Sequence, residues 1–151
     1  MEVIEIKIKR ISNEFDDVPI PEYATEGSAG MDIRAAMSED MNIGKGEIVL
    51  VPTNLSVEIP AGYEIQVRPR SGLAIKHGLG ILNSPGTIDS DYRGEIKIIM
   101  MNFSKVDYII KRGERIAQLV VSKVYRADLQ EGNSLNESKR GSGGFGHTGK
   151  E

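Results

Sequence analysis

The chain has no cysteine. That excludes a disulfide framework and any thiolate metal site, and it accords with a reducing compartment, so a cytoplasmic address is expected. No stretch approaches the ~20 consecutive apolar residues of a membrane span. The N-terminus, Met1-Glu-Val-Ile-Glu-Ile-Lys-Ile-Lys-Arg10, alternates charge with Val and Ile and lacks the apolar centre of a signal peptide, so no membrane partner is expected. Histidine is scarce. His77 and His147 stand too far apart in sequence to suggest a zinc site, and His77 suits a helix end, where its charge favours the dipole. A strongly basic balance is also missing: 19 Lys and Arg face 22 Asp and Glu, for a net charge of −3. This argues against nucleic acid as the main partner. It leaves room for a small anionic ligand, which needs only a local cluster of cations and backbone N–H groups.

What is present is a chain of 151 residues, one ordinary domain with enough apolar content for a core. Its dominant period is two. Ile4, Ile6 and Ile8 alternate with charge, and Ile48-Val-Leu-Val51, Leu55-Ser-Val-Glu-Ile59, Tyr63-Glu-Ile-Gln-Val67 and Glu95-Ile-Lys-Ile-Ile-Met-Met101 are short, β-branched and bounded by Gly, Pro or Asn. Asp107-Tyr-Ile-Ile110 and the run Arg115 to Tyr125 flank Lys111-Arg-Gly-Glu114, which reads as a hairpin turn. Strands at roughly 8–12-residue spacing imply an all-β sandwich, jelly roll or barrel. One short helix is expected, capped by Ser71, running through Leu73-Ala-Ile-Lys-His77 and stopped by Gly78. From Asp128 the chain turns polar and Gly-rich, giving a core of residues 1–127 and a mobile arm of residues 128–151.

Three places carry chemistry. Arg68-Pro-Arg-Ser-Gly72 brings a strand end, an arginine and an open helix N-terminus together, which suits an anion. Around Asp89, Ser84-Pro-Gly86 reads as a type II turn in a hairpin that presents Asn83 and Asp89 together; a carboxylate can orient and deprotonate water, and the Asn amide can read a base edge. Alone, this segment also reads as a hairpin with solvated acids. Asp32, between Met31 and Ile33, reads by itself as a turn or cap acid bonded to backbone rather than as a metal ligand. The arm's Gly141-Ser-Gly-Gly-Phe-Gly146 has dinucleotide-fingerprint spacing, and Gly144 to Lys150 nearly has the Walker pattern. No strand leads in, no helix follows, and Glu151 stands where Ser or Thr is required. What remains is glycine amides, Arg140 and the Phe145 ring, or simply a disordered terminus.

In order, Ala29-Gly-Met-Asp-Ile33, Pro69-Arg-Ser-Gly-Leu-Ala74, Gly86-Thr-Ile-Asp-Ser-Asp-Tyr-Arg-Gly-Glu95, Arg115-Ile-Ala-Gln-Leu119 and Arg140-Gly-Ser-Gly-Gly-Phe-Gly146 resemble the motifs of the trimeric dUTPase family. Ile33 and His147 depart mildly from its pattern. The resemblance implies a jelly-roll-like distorted β-barrel, assembled as a homotrimer whose active sites lie at subunit boundaries, the arm closing over a neighbour's ligand. It implies hydrolysis of dUTP to dUMP and pyrophosphate by water attack on the α-phosphorus, which keeps uracil out of DNA and supplies dUMP for thymidylate synthesis. Asp89 would be the base, and Gln118 would position the water or a phosphate. Arg70, Ser71 and Gly72 would hold the α- and β-phosphates, and Arg140 with the arm glycines, Gly146 among them, the γ-phosphate. Asn83 and backbone groups around Thr87, Ile88 and Lys97 would read uracil; Tyr92 would pack on the sugar and Phe145 on the base. Mg²⁺ would be chelated mainly by the triphosphate, with Asp32 at most reaching it through water. A dCTP deaminase of the same fold, bifunctional or not, and a non-catalytic trimeric nucleotide-binding β module are the alternatives. Ser71-Gly72 and Thr87-Ile-Asp89 favour the diphosphatase over the deaminase, and the binding module leaves Asp89 without a use.

Overall fold

The computed structural model describes residues 3–147. Its elements, in chain order, are β1 (Lys7–Arg10), β2 (Glu22–Tyr23), β3 (Met31–Arg34), β4 (Met41–Ile43), β5 (Ile48–Pro52), β6 (Leu55–Glu58), β7 (Tyr63–Arg68), α1 (Ser71–His77), β8 (Leu79–Ile81), β9 (Gly86–Ile88), β10 (Lys97–Asn102), β11 (Tyr108–Ile110) and β12 (Arg115–Lys123). The strands form four sheets: β1-β6, β5-β10-β8, β11-β4 and β2-β3-β12-β7-β9. Every pairing is antiparallel. The all-β, jelly-roll-like expectation holds; hydrogen bonding does not run round all four sheets to close a barrel.

The alternation that marks the strands also builds the core. In β10 the side chains of Ile98 and Met100 turn inward and are buried, while Lys97 points out. Ile33, Ile43, Val51, Ile98 and Ile110, drawn from three different sheets, each retain 0% exposure. Burying an aliphatic side chain of this size contributes roughly 1.5–3 kcal/mol, so this shared centre is what holds small, separately marginal sheets together.

β12 carries one break in the pattern. Its register against β3 shifts between Arg115 and Ala117, so that both Ile116 and Ala117 are buried. A bulge of this kind resets the alternation. It leaves Arg115 and Gln118 off the core-facing side on either side of the bulge.

Several local expectations change. β11 pairs with β4 rather than β12, so residues 107–125 do not make a hairpin; Gly113, at φ 74°, turns the chain between two sheets instead. β8 and β9 likewise pair with β10 and β7 and not with each other. The Ser84–Pro85 bond is cis and Gly86 lacks the positive φ that a type II turn requires, so that turn is of another kind. Arg70, not Ser71, is the helix N-cap, with extended backbone and no side-chain cap bond; Gly78 closes the helix in the left-handed conformation, as expected. The N-terminal strand begins at Lys7, later than Ile4. After Lys123 the described chain has neither strand nor helix and is exposed almost throughout. Among the described residues no helix is long and apolar enough to cross a membrane.

Candidate active site

Two clusters form, and they lie apart. The first is cationic and sits where β3, β12 and the end of β7 run side by side. Gln118 on β12 pairs with Asp32 on one side and Arg68 on the other. The Asp32 carboxylate accepts the Arg70 Nε–H at 2.9 Å with one oxygen and an Arg115 Nη1–H at 3.1 Å with the other. Arg70 also donates to the Arg115 carbonyl at 3.3 Å. One carboxylate thus fixes two guanidinium groups, leaving a net positive charge beside the amides of Ser71 and Gly72, which open the helix and have no acceptor within it. Gly72 is exposed, and a Cβ added there would meet open space. The Gln118 Nε2–H donates to the Pro69 carbonyl at 3.0 Å, and its Oε1 rests where a Cβ on Gly30 would stand. Gln118 therefore braces the turn that delivers Arg70.

The second cluster is a cleft of about 420 Å³ between β9, the loop 89–95 and the start of β10. Asn83, Thr87, Ile88, Asp89, Tyr92 and Lys97 all line it, so six of the anticipated substrate and catalytic residues come together. Thr87, Asp89 and Lys97 are exposed and Ile88 is buried at 6%. Gly86 permits the close approach here: a Cβ at that position would stand 3.3 Å from the Asn83 amide nitrogen and 3.2 Å from Val67. The Asp89 side chain makes no hydrogen bond among the described residues.

Register sets the distance between the clusters. Ile88, the residue before Asp89, pairs with Ile65, whereas Arg70 follows Arg68 at the far end of β7. Ile65 to Arg68 alone spans about 10 Å at ~3.3 Å per residue. From those two points the chain leaves in opposite directions. None of Arg70, Ser71, Gly72 or Gln118 lines the Asp89 cleft, nor do Arg140, Phe145 or Gly146. Phe145 is fully exposed, and Arg140 donates to the Gly143 carbonyl within the arm. The arm's last residues, with Gly149, Lys150 and Glu151, lie outside the described residues.

For a metal the fit is poor. Among the described residues no three His, Cys, Asp or Glu side chains gather, and Asp32 has committed both oxygens to arginine. The described residues offer no cage for Mg²⁺, and the Asp32 oxygens hold Arg70 and Arg115.

Residues that sequence reasoning did not single out also shape the site. Arg115 shares Asp32 with Arg70, and Glu95, at the base of the Asp89 loop, accepts the Asn54 N–H at 2.9 Å. Both stood inside recognised segments, but their partners are 83 and 41 positions away in sequence.

The dUTPase family model matches residues 16–149. A protein of Rickettsia felis named deoxyuridine 5'-triphosphate nucleotidohydrolase is 52% identical over 149 residues, covering 99% of each chain. A protein of the same name from Fusobacterium nucleatum is 53% identical over 146 residues, 97% of this chain and 99% of its own. Among solved structures, Staphylococcus bacteriophage 80alpha dUTPase with dUpNHpp superimposes with a TM-score of 0.85 at 27% identity, over 97% of this chain and 99% of that one. A mutant dUTPase from phage phi11 of S. aureus, described as coordinating a structural Mg(II) ion, matches with a TM-score of 0.77 at 23% identity over 89% of this chain and 100% of that one, a likeness of fold alone.

Proposed function

The chain belongs to the dUTPase family and hydrolyses dUTP, and we propose that it does so at sites each assembled from more than one copy of the chain, with Asp89 as the base. One observation carries this reading: the β7–β9 register sets Asp89 and the Arg70 cluster apart within a single copy. A triphosphate gripped by Arg70, Ser71 and Gly72 of one copy can meet Asp89 of another. A surface for such contact adjoins the cleft. On the outer side of β5 and β10, Ile48 and Leu50 are about half exposed, and Leu50 pairs with Ile99. Leu50 and Ile99 also line the cleft, so a neighbour seated on this apolar face would complete the site. A homotrimer with shared sites is the assembly we assign.

In the reaction, water held by Asp89 attacks the α-phosphorus in line. The new P–O bond forms as the bridging bond to the β-phosphate breaks, pyrophosphate leaves, and the water's proton passes to Asp89. Arg70, steadied by Asp32, and the Ser71 and Gly72 amides hold the α- and β-phosphates. Gln118 positions the water or a phosphate, and its bond to the Pro69 carbonyl supports the turn that carries Arg70. Asn83, with backbone groups of Thr87, Ile88 and the Lys97 segment, matches uracil's acceptor–donor–acceptor edge, where cytosine's amine would oppose a donor. Tyr92 packs on the sugar. Arg140, Phe145 and Gly146 come from the arm of a further copy; the full exposure of Phe145 in the single chain supports that role. Mg²⁺ would be held mainly by the triphosphate oxygens as part of the substrate, where it would neutralise phosphate charge, as its reluctance to lose water favours. A cytoplasmic address completes the proposal.

Pyrophosphate release from dUTP, dCTP, dTTP and UTP with Mg²⁺ tests this, comparing the wild type with Asp89→Asn. Release from dUTP alone, reduced on the order of 100-fold or more in the variant, is expected for loss of a general base. Equal turnover in the two proteins would refute the assignment of Asp89.

A further inference from the structure

The Asp89 carboxylate has no hydrogen-bond partner among the described residues, so its aim depends on the backbone that carries it. That backbone is closed by Tyr92 and by Arg93, whose Nη1–H donates to the Ser90 carbonyl at 2.7 Å. The Tyr92 N–H bonds the Asp89 carbonyl at 3.1 Å, and the Tyr92 hydroxyl folds back to donate to the Glu95 carbonyl at 2.9 Å. The fold-back requires Gly94, where a Cβ would strike the Tyr92 hydroxyl. The loop bearing Asp89 is therefore as fixed as Glu95 is.

Glu95 is held from the core. Its Oε1 accepts the Asn54 N–H at 2.9 Å, and its Oε2 lies 3.5 Å from the Lys97 ammonium. Asn54 is a rigid anchor: buried at 5% exposure, with φ 60°, its side chain bonded to both the N–H and the carbonyl of Ser12. The neighbouring bonds run the same way, from Thr53 Oγ1 to the Ile96 carbonyl at 2.6 Å and from the Ile96 N–H to the Leu55 carbonyl at 2.8 Å.

We propose that Glu95 is the positioning residue for Asp89, transmitting the fixed β5–β6 turn to the catalytic loop through the Asn54 N–H···Glu95 hydrogen bond. It acts by reach and hydrogen bonding, not by its charge. The inference rests on the reading of Asp89 as the base.

Two conservative changes separate reach from charge. Glu95→Gln keeps the reach and an acceptor for the Asn54 N–H while removing the charge; Glu95→Asp keeps the charge and withdraws the acceptor by one methylene. Steady-state kinetics on dUTP with the intact protein should show Glu95→Gln within about threefold of wild-type kcat and Glu95→Asp about tenfold below it, with KM in both within about threefold, as misplacement of a base demands. The reverse order, equal loss in both, or no loss in either would overturn the proposal. Asp89→Asn in the same assay keeps the two readings apart. If that variant turns over like the wild type, the base assignment fails; if it is inactive while the Glu95 variants behave alike, only the positioning role fails.

Discussion

The carboxylate of Asp32 accepts the Nε–H of Arg70 at 2.9 Å, reaching past β12 to the segment that follows β7. Its other oxygen holds Arg115, and the Asp32 side chain is only 23% exposed, so solvent screens these bonds less than it would on an open surface. Charge-assisted hydrogen bonds of this kind contribute about 1.5–3 kcal/mol. Asp32→Ala should therefore free both guanidinium groups and lower kcat/KM for dUTP by about tenfold or more. Most of the change should appear in KM, because the phosphate grip is loosened while Asp89 is untouched. A wild-type KM in the variant would show that Arg70 is placed by other contacts.

The described arm adds no strand or helix after Lys123, and Leu129, Leu135 and Phe145 are each at least 90% exposed. Removing the residues after Lys139 should leave the thermal midpoint and the assembly size by light scattering unchanged while turnover collapses. A truncated protein that dissociates would make the arm a structural element.

Because no cluster of metal-binding side chains exists among the described residues, chelating Mg²⁺ should abolish most dUTP turnover yet leave the ligand-free unfolding midpoint where it was. A midpoint lowered by chelator alone would point to a metal held by the protein itself.

Tyr108 donates its hydroxyl to the Glu114 carboxylate, and its ring packs tilted against His77 with centroids 4.8 Å apart. Burial first, and the Glu114 bond second, push its pKa up to about 12. A raised folded-state value means that the folded protein keeps the proton when the unfolded chain has lost it. The contribution is whole below pH about 10, the ordinary tyrosine range, and is lost as pH rises towards about 12. The stability advantage of the wild type over Tyr108→Phe in urea should shrink between pH about 10 and about 12. A constant difference across that window would contradict the shift.

These predictions rest unevenly on sequence. β5, β6, β7, β10 and β12 were legible because β-branched alternation is local, and Gly78 because a helix stop needs only one left-handed residue. β2, β8 and β9 were not, since runs of two or three residues are too short to show a period. Partner choice was hidden for a different reason. Tyr108–Ile110 seeks Met41–Ile43, far back in the chain, over the adjacent Arg115 run, and only packing of the whole core decides that. The same non-locality concealed the Asp32 ion pairs, the Asn54–Glu95 bond and the Leu50 wall of the Asp89 cleft, whereas Asn83, Thr87, Ile88, Asp89 and Tyr92 came from one motif and its lead-in and were seen together.

The central claim is that Asp89 works on a triphosphate held by the Arg70 of another copy. Asp89→Asn and Arg70→Ala, each too weak to turn over dUTP appreciably, can be unfolded, mixed and refolded together. Mixed assemblies should regain pyrophosphate release, because some sites then draw an intact Asp89 from one variant and an intact Arg70 from the other. A mixture no more active than its separate components would contradict the shared site.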